Sequence, residues 1–125
     1  MKGAYAEPAS AAFPAKRDTD DQYVSLGEAL LTAAASGGAL PVYGTHDMNI
    51  VHRLVGRATS MQLDPARYEI HMLYGIRAAD QRALAAKGVG VRCLISYGEN
   101  WFPWYMRRLA ERPANVWFVV RSAFA

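Results

Sequence analysis

With a single cysteine, Cys93, the sequence can form no internal disulfide, and one unpaired thiol suits a reducing, cytoplasmic compartment. Set in an apolar run, that cysteine reads as a small core hydrophobe. No stretch reaches the roughly 18 to 20 apolar residues of a membrane span. The N-terminus MKGAYAEPAS lacks a signal-peptide apolar core. A soluble chain is expected, with no membrane contact beyond a peripheral one. Neither sign of charge dominates: 14 basic residues face 11 acidic ones for a net +3, spread along the chain, so nothing indicates a nucleic-acid partner. Also missing are a Gly-x-Gly-x-x-Gly after a strand, a Walker-type loop, zinc Cys pairs and a Ser nucleophile elbow, which leaves a Rossmann cofactor site unsupported. His46, His52 and His71 have no Cys or carboxylate companions at ligand spacing, so no metal is proposed.

What is present is a hydrophobic fraction of 52% over 125 residues, enough for the core of one domain spanning residues 1–125. The chain opens on a short apolar, strand-like segment, residues 1–6, without a polar lead-in, which suggests that its beginning is missing. The stretch PASAAFPAKRDTD follows as a loop, since its two prolines and polar cluster forbid a long helix. From Asp21 to Ala35 the apolar residues Tyr23, Leu26, Leu30, Leu31 and Ala34 recur at helical spacing, and Gly37-Gly38 supply the stop. A strand over Ala39–Gly44 precedes a helix carrying Ile50, Val51, Leu54 and Val55, with Asp47 as its N-cap. Asp64-Pro65 then punctuates. Tyr68–Tyr74 is a third strand, Ala78–Lys87 a helix closed by Gly88, and Val89–Ser96 a buried parallel strand. A fourth helix runs from Asn100 to Glu111, and Pro113 allows a last apolar helix over Ala114–Phe124. Alternating strands and helices without hairpin signals predict an α/β fold with a parallel sheet, either doubly wound or part of a barrel. A complete (β/α)8 barrel needs about 250 residues, so four units amount to half of one.

In parallel α/β folds chemistry gathers at the C-terminal ends of strands. Those ends read Lys2-Gly3-Ala4-Tyr5, Gly44-Thr45-His46-Asp47, Leu73-Tyr74-Gly75 and Ser96-Tyr97-Gly98. Thr45 and His46 offer a hydroxyl, a ring nitrogen and backbone N–H groups to a phosphate or flavin; the plainer alternative is a turn capped by Asp47 with His46 on the surface. In WFPWYMRRLAER, Trp104, Arg107, Arg108 and Glu111 share one helical face. Two adjacent guanidinium groups can grip one carboxylate while an aromatic packs on the apolar part of the same ligand. The alternative there is a solvated basic patch that includes Arg112.

Taken together these strings resemble the proline dehydrogenase family of the monofunctional bacterial type. MKGAYAEP is similar to the family's fifth-strand segment, GTHD to its sixth-strand Thr-His motif, YEIHMLYGIR to its seventh-strand segment, and WYMRRLAERPANVWFVVRS to its C-terminal helix. The matches run in the family's order over essentially the whole chain. The resemblance implies the last four βα units of a (β/α)8-type barrel, its C-terminal half, which uses FAD to oxidise L-proline to 1-pyrroline-5-carboxylate and passes the electrons to a quinone. It implies FAD contacts from Lys2, Gly3, Ala4, Thr45 and His46. Arg107 and Arg108 would hold the proline carboxylate, with Tyr5, Leu73, Trp104 and Glu111 lining or bracing the pocket.

Three positions depart from the family pattern: Leu94 and Trp104 stand where tyrosines are usual, and His71 where a glutamine is. Losing a pocket hydroxyl costs transition-state binding. The family's strand-one Lys, its strand-four Asp and the Arg before Lys-Gly-Ala-Tyr all fall ahead of Met1. The resemblance therefore implies a truncated gene model or gene remnant, inactive alone. Two other readings stand beside it. One is a non-catalytic half-barrel that associates with a copy of itself or with a complementary N-terminal half, since a half-barrel exposes two strand edges and its inner face. The other is a carboxylate-binding α/β enzyme of another type.

Overall fold

A computed structural model of the chain describes Pro8, residues 10–103 and Met106. Its elements run α1 (Lys16–Ala35), β1 (Val42–Gly44), α2 (Met48–Ser60), a single 3-10 turn (Pro65–Arg67), β2 (Glu69–Leu73), α3 (Ala78–Ala86) and β3 (Gly90–Leu94). The expected strand over residues 1–6 and the last helix, 114–124, lie outside the described residues. Within the helix expected over 100–111, residues 101–103 and 106 are described and helical.

Each strand pairs in parallel with the next along the chain, in the order β1-β2-β3, with Gly44 opposite His71 and Leu73 opposite Leu94. Alternation sends Tyr43, Ile70 and Met72 into the core, where they meet Val24 and Leu31 of α1, Ile50, Val51, Leu54 and Ala58 of α2, and Tyr68, Leu84 and Val89. The other set, Glu69, His71, Leu73, Arg92 and Leu94, shares the opposite face. The chain is thus α/β with a small parallel sheet. Among the described residues no helix is long and apolar enough to cross a membrane.

Helix α1 starts at Lys16, inside the stretch expected to be loop. Both prolines lie upstream of it, so neither removes a helical hydrogen bond. Lys16 ion-pairs with Asp20 one turn on and with Asp47 of the α2 cap, and Asp18 places a negative charge in the first turn. The buried stripe also differs from the expectation: Val24, Gly27, Leu31 and Ala34 face inward, while Leu26 and Leu30 are exposed. Gly27 explains the rotation. Having no side chain, it lets α1 approach α2 and β1 so closely that an added Cβ would lie 2.6 Å from Leu54 Cδ2. Its carbonyl accepts a 2.8 Å hydrogen bond from the buried Tyr43 hydroxyl.

Helices α1, α2 and α3 end in the same way. After α1, Gly37 N–H bonds Ala34 O and Gly38 N–H bonds Ala33 O; after α3, Gly88 N–H bonds Ala85 O and Val89 N–H bonds Leu84 O. Gly37 and Gly88 take φ +83° and +82°, the left-handed region this motif needs. After α2 the equivalent position is Gln62, at φ 55°. At the start of α2, Asp47 is the expected N-cap, its carboxylate accepting from Asn49 N–H at 3.1 Å.

Strand β3 departs from the buried strand expected. Its later residues, Arg92, Cys93 and Leu94, are exposed, because among the described strands it is an edge with β2 as its one partner. Cys93 is accordingly no core hydrophobe; it is exposed, and its Sγ–H donates to Gln81 Oε1.

Candidate functional site

Where β1 stops at Gly44, the ladder loses its next acceptor. Glu69 N–H bonds Pro41 O, and the two-residue repeat of a parallel ladder would bring Leu73 N–H to Thr45 O. The chain turns into α2 instead. There His46 substitutes its ring: Nε2 accepts from Leu73 N–H at 2.8 Å. An imidazole nitrogen that accepts carries no proton, so the neutral ring holds its hydrogen on Nδ1. Burial, together with the Arg77 guanidinium nearby, lowers the His46 pKa below its ordinary value and favours that neutral form. Thr45 is buried; its hydroxyl oxygen accepts from Asp47 N–H at 3.1 Å and keeps its own hydrogen to donate. Among the described residues nothing crowds Gly44, since a Cβ added there would meet none of them within 4 Å.

On the far side of Leu73 the chain makes a tight turn, Ile76 N–H returning to Leu73 O at 3.3 Å. The side-chain amide of Gln81, on α3, reaches the same turn. Its Nε2 donates to Leu73 O at 3.2 Å and to Ile76 O at 2.7 Å. Arg77, the N-cap of α3, is left-handed at φ 52° and pairs with Asp80 at 3.1 Å. Beside the turn, Tyr74 N–H continues the β2–β3 ladder to Leu94 O.

Farther down the same sheet face Glu69 bridges two bases, with Oε2 2.8 Å from His71 Nε2 and Oε1 accepting from Arg92 Nε at 3.0 Å and from its NH2 group at 2.8 Å. Gly90 leaves room for it: a Cβ there would press on Glu69 Cγ at 3.2 Å. The hydrogen bond from Arg92, and then that of His71, hold the Glu69 carboxyl below the usual carboxylate range. His71 is therefore engaged by Glu69.

Of the residues singled out in the sequence, the structure brings Thr45, His46 and Leu73 together at neighbouring strand ends, with Leu94 paired beside Leu73. Lys2, Gly3, Ala4, Tyr5, Trp104, Arg107, Arg108 and Glu111 lie outside the described residues. Gln81 and Arg77 were not anticipated. A glutamine in a polar helical stretch carries no spacing signal, and Arg77 acts on His46 across 31 residues of sequence, which no local pattern announces. Among the described residues no group of three His, Cys, Asp or Glu side chains could hold a metal ion.

The proline dehydrogenase family model matches residues 2–121. Proline dehydrogenase 1 of Bacillus subtilis strain 168 is 40% identical over 122 residues, a match covering 98% of this chain and 39% of that protein. The proline dehydrogenase of Deinococcus radiodurans is 37% identical over 98% of this chain and 38% of its own length. Proline dehydrogenase 2 of Bacillus subtilis strain 168 is 34% identical, over 98% and 39%. The chain thus spans 38–39% of the length of these relatives. With a family match over nearly every residue and a Thr-His turn bonded to the Met-Leu-Tyr-Gly strand, the chain belongs to the proline dehydrogenase family.

Proposed function

We propose that the chain supplies the last four βα units of a flavin-dependent (β/α)8 barrel that oxidises L-proline to 1-pyrroline-5-carboxylate, with a quinone as the final electron acceptor. The observation that carries this reading is the 2.8 Å bond from Leu73 N–H to His46 Nε2, which ties the proposed cofactor edge to the proposed substrate wall. The donor set suits FAD: a buried hydroxyl, a neutral imidazole with its hydrogen on Nδ1 and, among the described residues, room over Gly44.

Thr45 and His46 would hold the cofactor through neutral donors, and the resemblance gives Lys2, Gly3 and Ala4 as further contacts to it. Leu73 presents an apolar surface to the proline ring and excludes water from the reacting face. By the family resemblance Arg107 and Arg108 would bind the carboxylate, which two guanidinium groups can grip at once, and Tyr5, Trp104 and Glu111 would line or brace the pocket. Bound FAD supplies the hydride acceptor.

The test is a graft, with this chain replacing the matched segment of Bacillus subtilis proline dehydrogenase 1. The graft is expected to purify yellow and to reduce an artificial dye when proline is added. Changing Arg107 and Arg108 together to Met should raise the KM for proline by roughly 100-fold or more, as loss of a charge-assisted pair demands. A folded graft that holds no flavin, or oxidises no proline, would refute the reading.

A further inference from the structure

The main-chain groups of Leu73 are held from two sides by side chains. His46 takes the N–H, and Gln81 takes the C=O. We propose that Gln81 is a positioning residue that straps the turn from Leu73 to Ile76 and thereby fixes the wall Leu73 presents to substrate; this rests on the proposed role of Leu73.

The chemistry of the amide makes the strap specific. An amide nitrogen has two hydrogens, and Gln81 Nε2 spends both on carbonyl oxygens, Leu73 O at 3.2 Å and Ile76 O at 2.7 Å. The reversed amide would aim its own oxygen at two carbonyl oxygens. Cys93 locks the orientation shown, because its Sγ–H donates to Gln81 Oε1 at 2.9 Å. One half-buried side chain therefore joins α3, the end of β2 and strand β3 at a single point. Among the described residues the turn is otherwise held by the ladder bond from Tyr74 N–H to Leu94 O at 3.0 Å and by a long bond, 3.3 Å, from Ile76 N–H to Leu73 O, while Tyr74 and Gly75 are exposed. Without Gln81, two carbonyls lose their side-chain donor and the turn beyond Tyr74 loosens, which relaxes the hold on the Leu73 carbonyl while His46 still holds its N–H.

Two variants separate positioning from simple packing. In Gln81→Leu the shape stays similar and both donors vanish. Gln81→Glu keeps an oxygen for Cys93 but, while ionised, faces two carbonyls with no hydrogen; protonation at low pH returns one donor. In the 125-residue chain, amide hydrogen exchange over residues 75–77 should quicken about tenfold in Gln81→Leu, the effect expected for two modest hydrogen bonds. In Gln81→Glu, exchange relative to the parent protein should be fast at neutral pH and should approach the parent rate as the pH falls below the carboxyl pKa. In the graft described above, Gln81→Leu should raise the KM for proline by roughly 5- to 20-fold with kcat within about twofold, since the wall acts on ground and transition states alike. Unchanged exchange in Gln81→Leu would overturn the strap. Faster exchange with both KM and kcat unchanged would also overturn the proposal, by reducing Gln81 to a structural residue. If the parent graft itself fails to oxidise proline, the reading of Leu73 as a substrate wall falls with it, and the exchange data still decide whether Gln81 holds the turn.

Discussion

Replacing Gly27 by Ala should destabilise the protein even though the residue sits inside a helix, where that exchange ordinarily helps. Left to helix propensity alone, Gly27→Ala would gain about 1 kcal/mol. The packing works against it. The new methyl would lie 2.6 Å from Leu54 Cδ2, 3.3 Å from Tyr43 Cε1 and 3.4 Å from Leu54 Cδ1. Carbon atoms prefer about 3.5–4.0 Å, so close to 1 Å must be found on the Leu54 side. Neither neighbour yields freely, since Leu54 is 0% exposed and Tyr43 is tied to the Gly27 carbonyl by its 2.8 Å hydrogen bond. Overpacking of this kind costs roughly 1–3 kcal/mol, so the net effect is a loss of about 1 kcal/mol.

Gly56 provides the internal comparison. It lies in the interior of α2, and a Cβ there meets none of the described residues within 4 Å. Gly56→Ala should therefore stabilise by about 0.5–1 kcal/mol. The difference between the two variants isolates the steric cost, because the propensity term is common to both. Equilibrium urea unfolding followed by far-UV circular dichroism measures it, read as a change of midpoint at constant slope. Combining Gly27→Ala with Leu54→Val should be less costly than the two single changes summed. If Gly27→Ala proves as stable as Gly56→Ala, the close approach of α1 to α2 and β1 is wrong.

Two further outcomes are expected. Asp47→Ala should cost about 1 kcal/mol through loss of the α2 cap, whereas Asp47→Asn, which keeps an accepting oxygen for Asn49 N–H, should stay within about 0.5 kcal/mol of the parent; equal losses in thermal unfolding would argue against the cap. The second concerns pH. The folded pKa of His46 lies below its ordinary 6.5, so above that value both folded and unfolded chains leave it neutral and it adds no pH dependence. As the pH falls below 6.5 the unfolded chain takes up the proton first, and stability declines until the folded pKa is passed, by no more than about 1.4 kcal/mol per pH unit. His46→Gln should remove that slope, so the stability difference between parent and variant should change below the same pH; parallel curves would show that His46 is not held neutral.

How far the sequence announced this structure depended on whether a feature was local. Asp47 was legible as a cap, and Gly37 and Gly88 as helix ends, because each acts on backbone within a few residues of itself. The end of α2 was not, since Gln62 takes the left-handed position that glycine fills elsewhere. The start of α1 was less legible because part of its support comes from Asp47, 31 residues from Lys16, beside the local Asp18 and Asp20. Its inward face was misjudged because the deciding residue, Gly27, has no hydrophobicity for a periodic pattern to register. At the candidate site, Thr45, His46 and Leu73 were marked by their places at strand ends, and a parallel sheet brings such ends together. The neutral tautomer of His46 and the reach of Gln81 depend on which ladder groups are left open, and that is set only when the register is known.

The plain strand order has a kinetic consequence. Because β1 pairs with β2 and β2 with β3, no described strand has to be threaded between two that are already joined. A chain growing from its N-terminus can close the β1–β2 pairing once Leu73 is available and add α3 and β3 to that edge afterwards. Loops are then closed one at a time, each over a single intervening helix, which keeps the entropy of each step small for a parallel sheet. For a sheet whose far strand exposes Cys93 and Leu94, such stepwise addition also shortens the time during which β2 stands as an open edge.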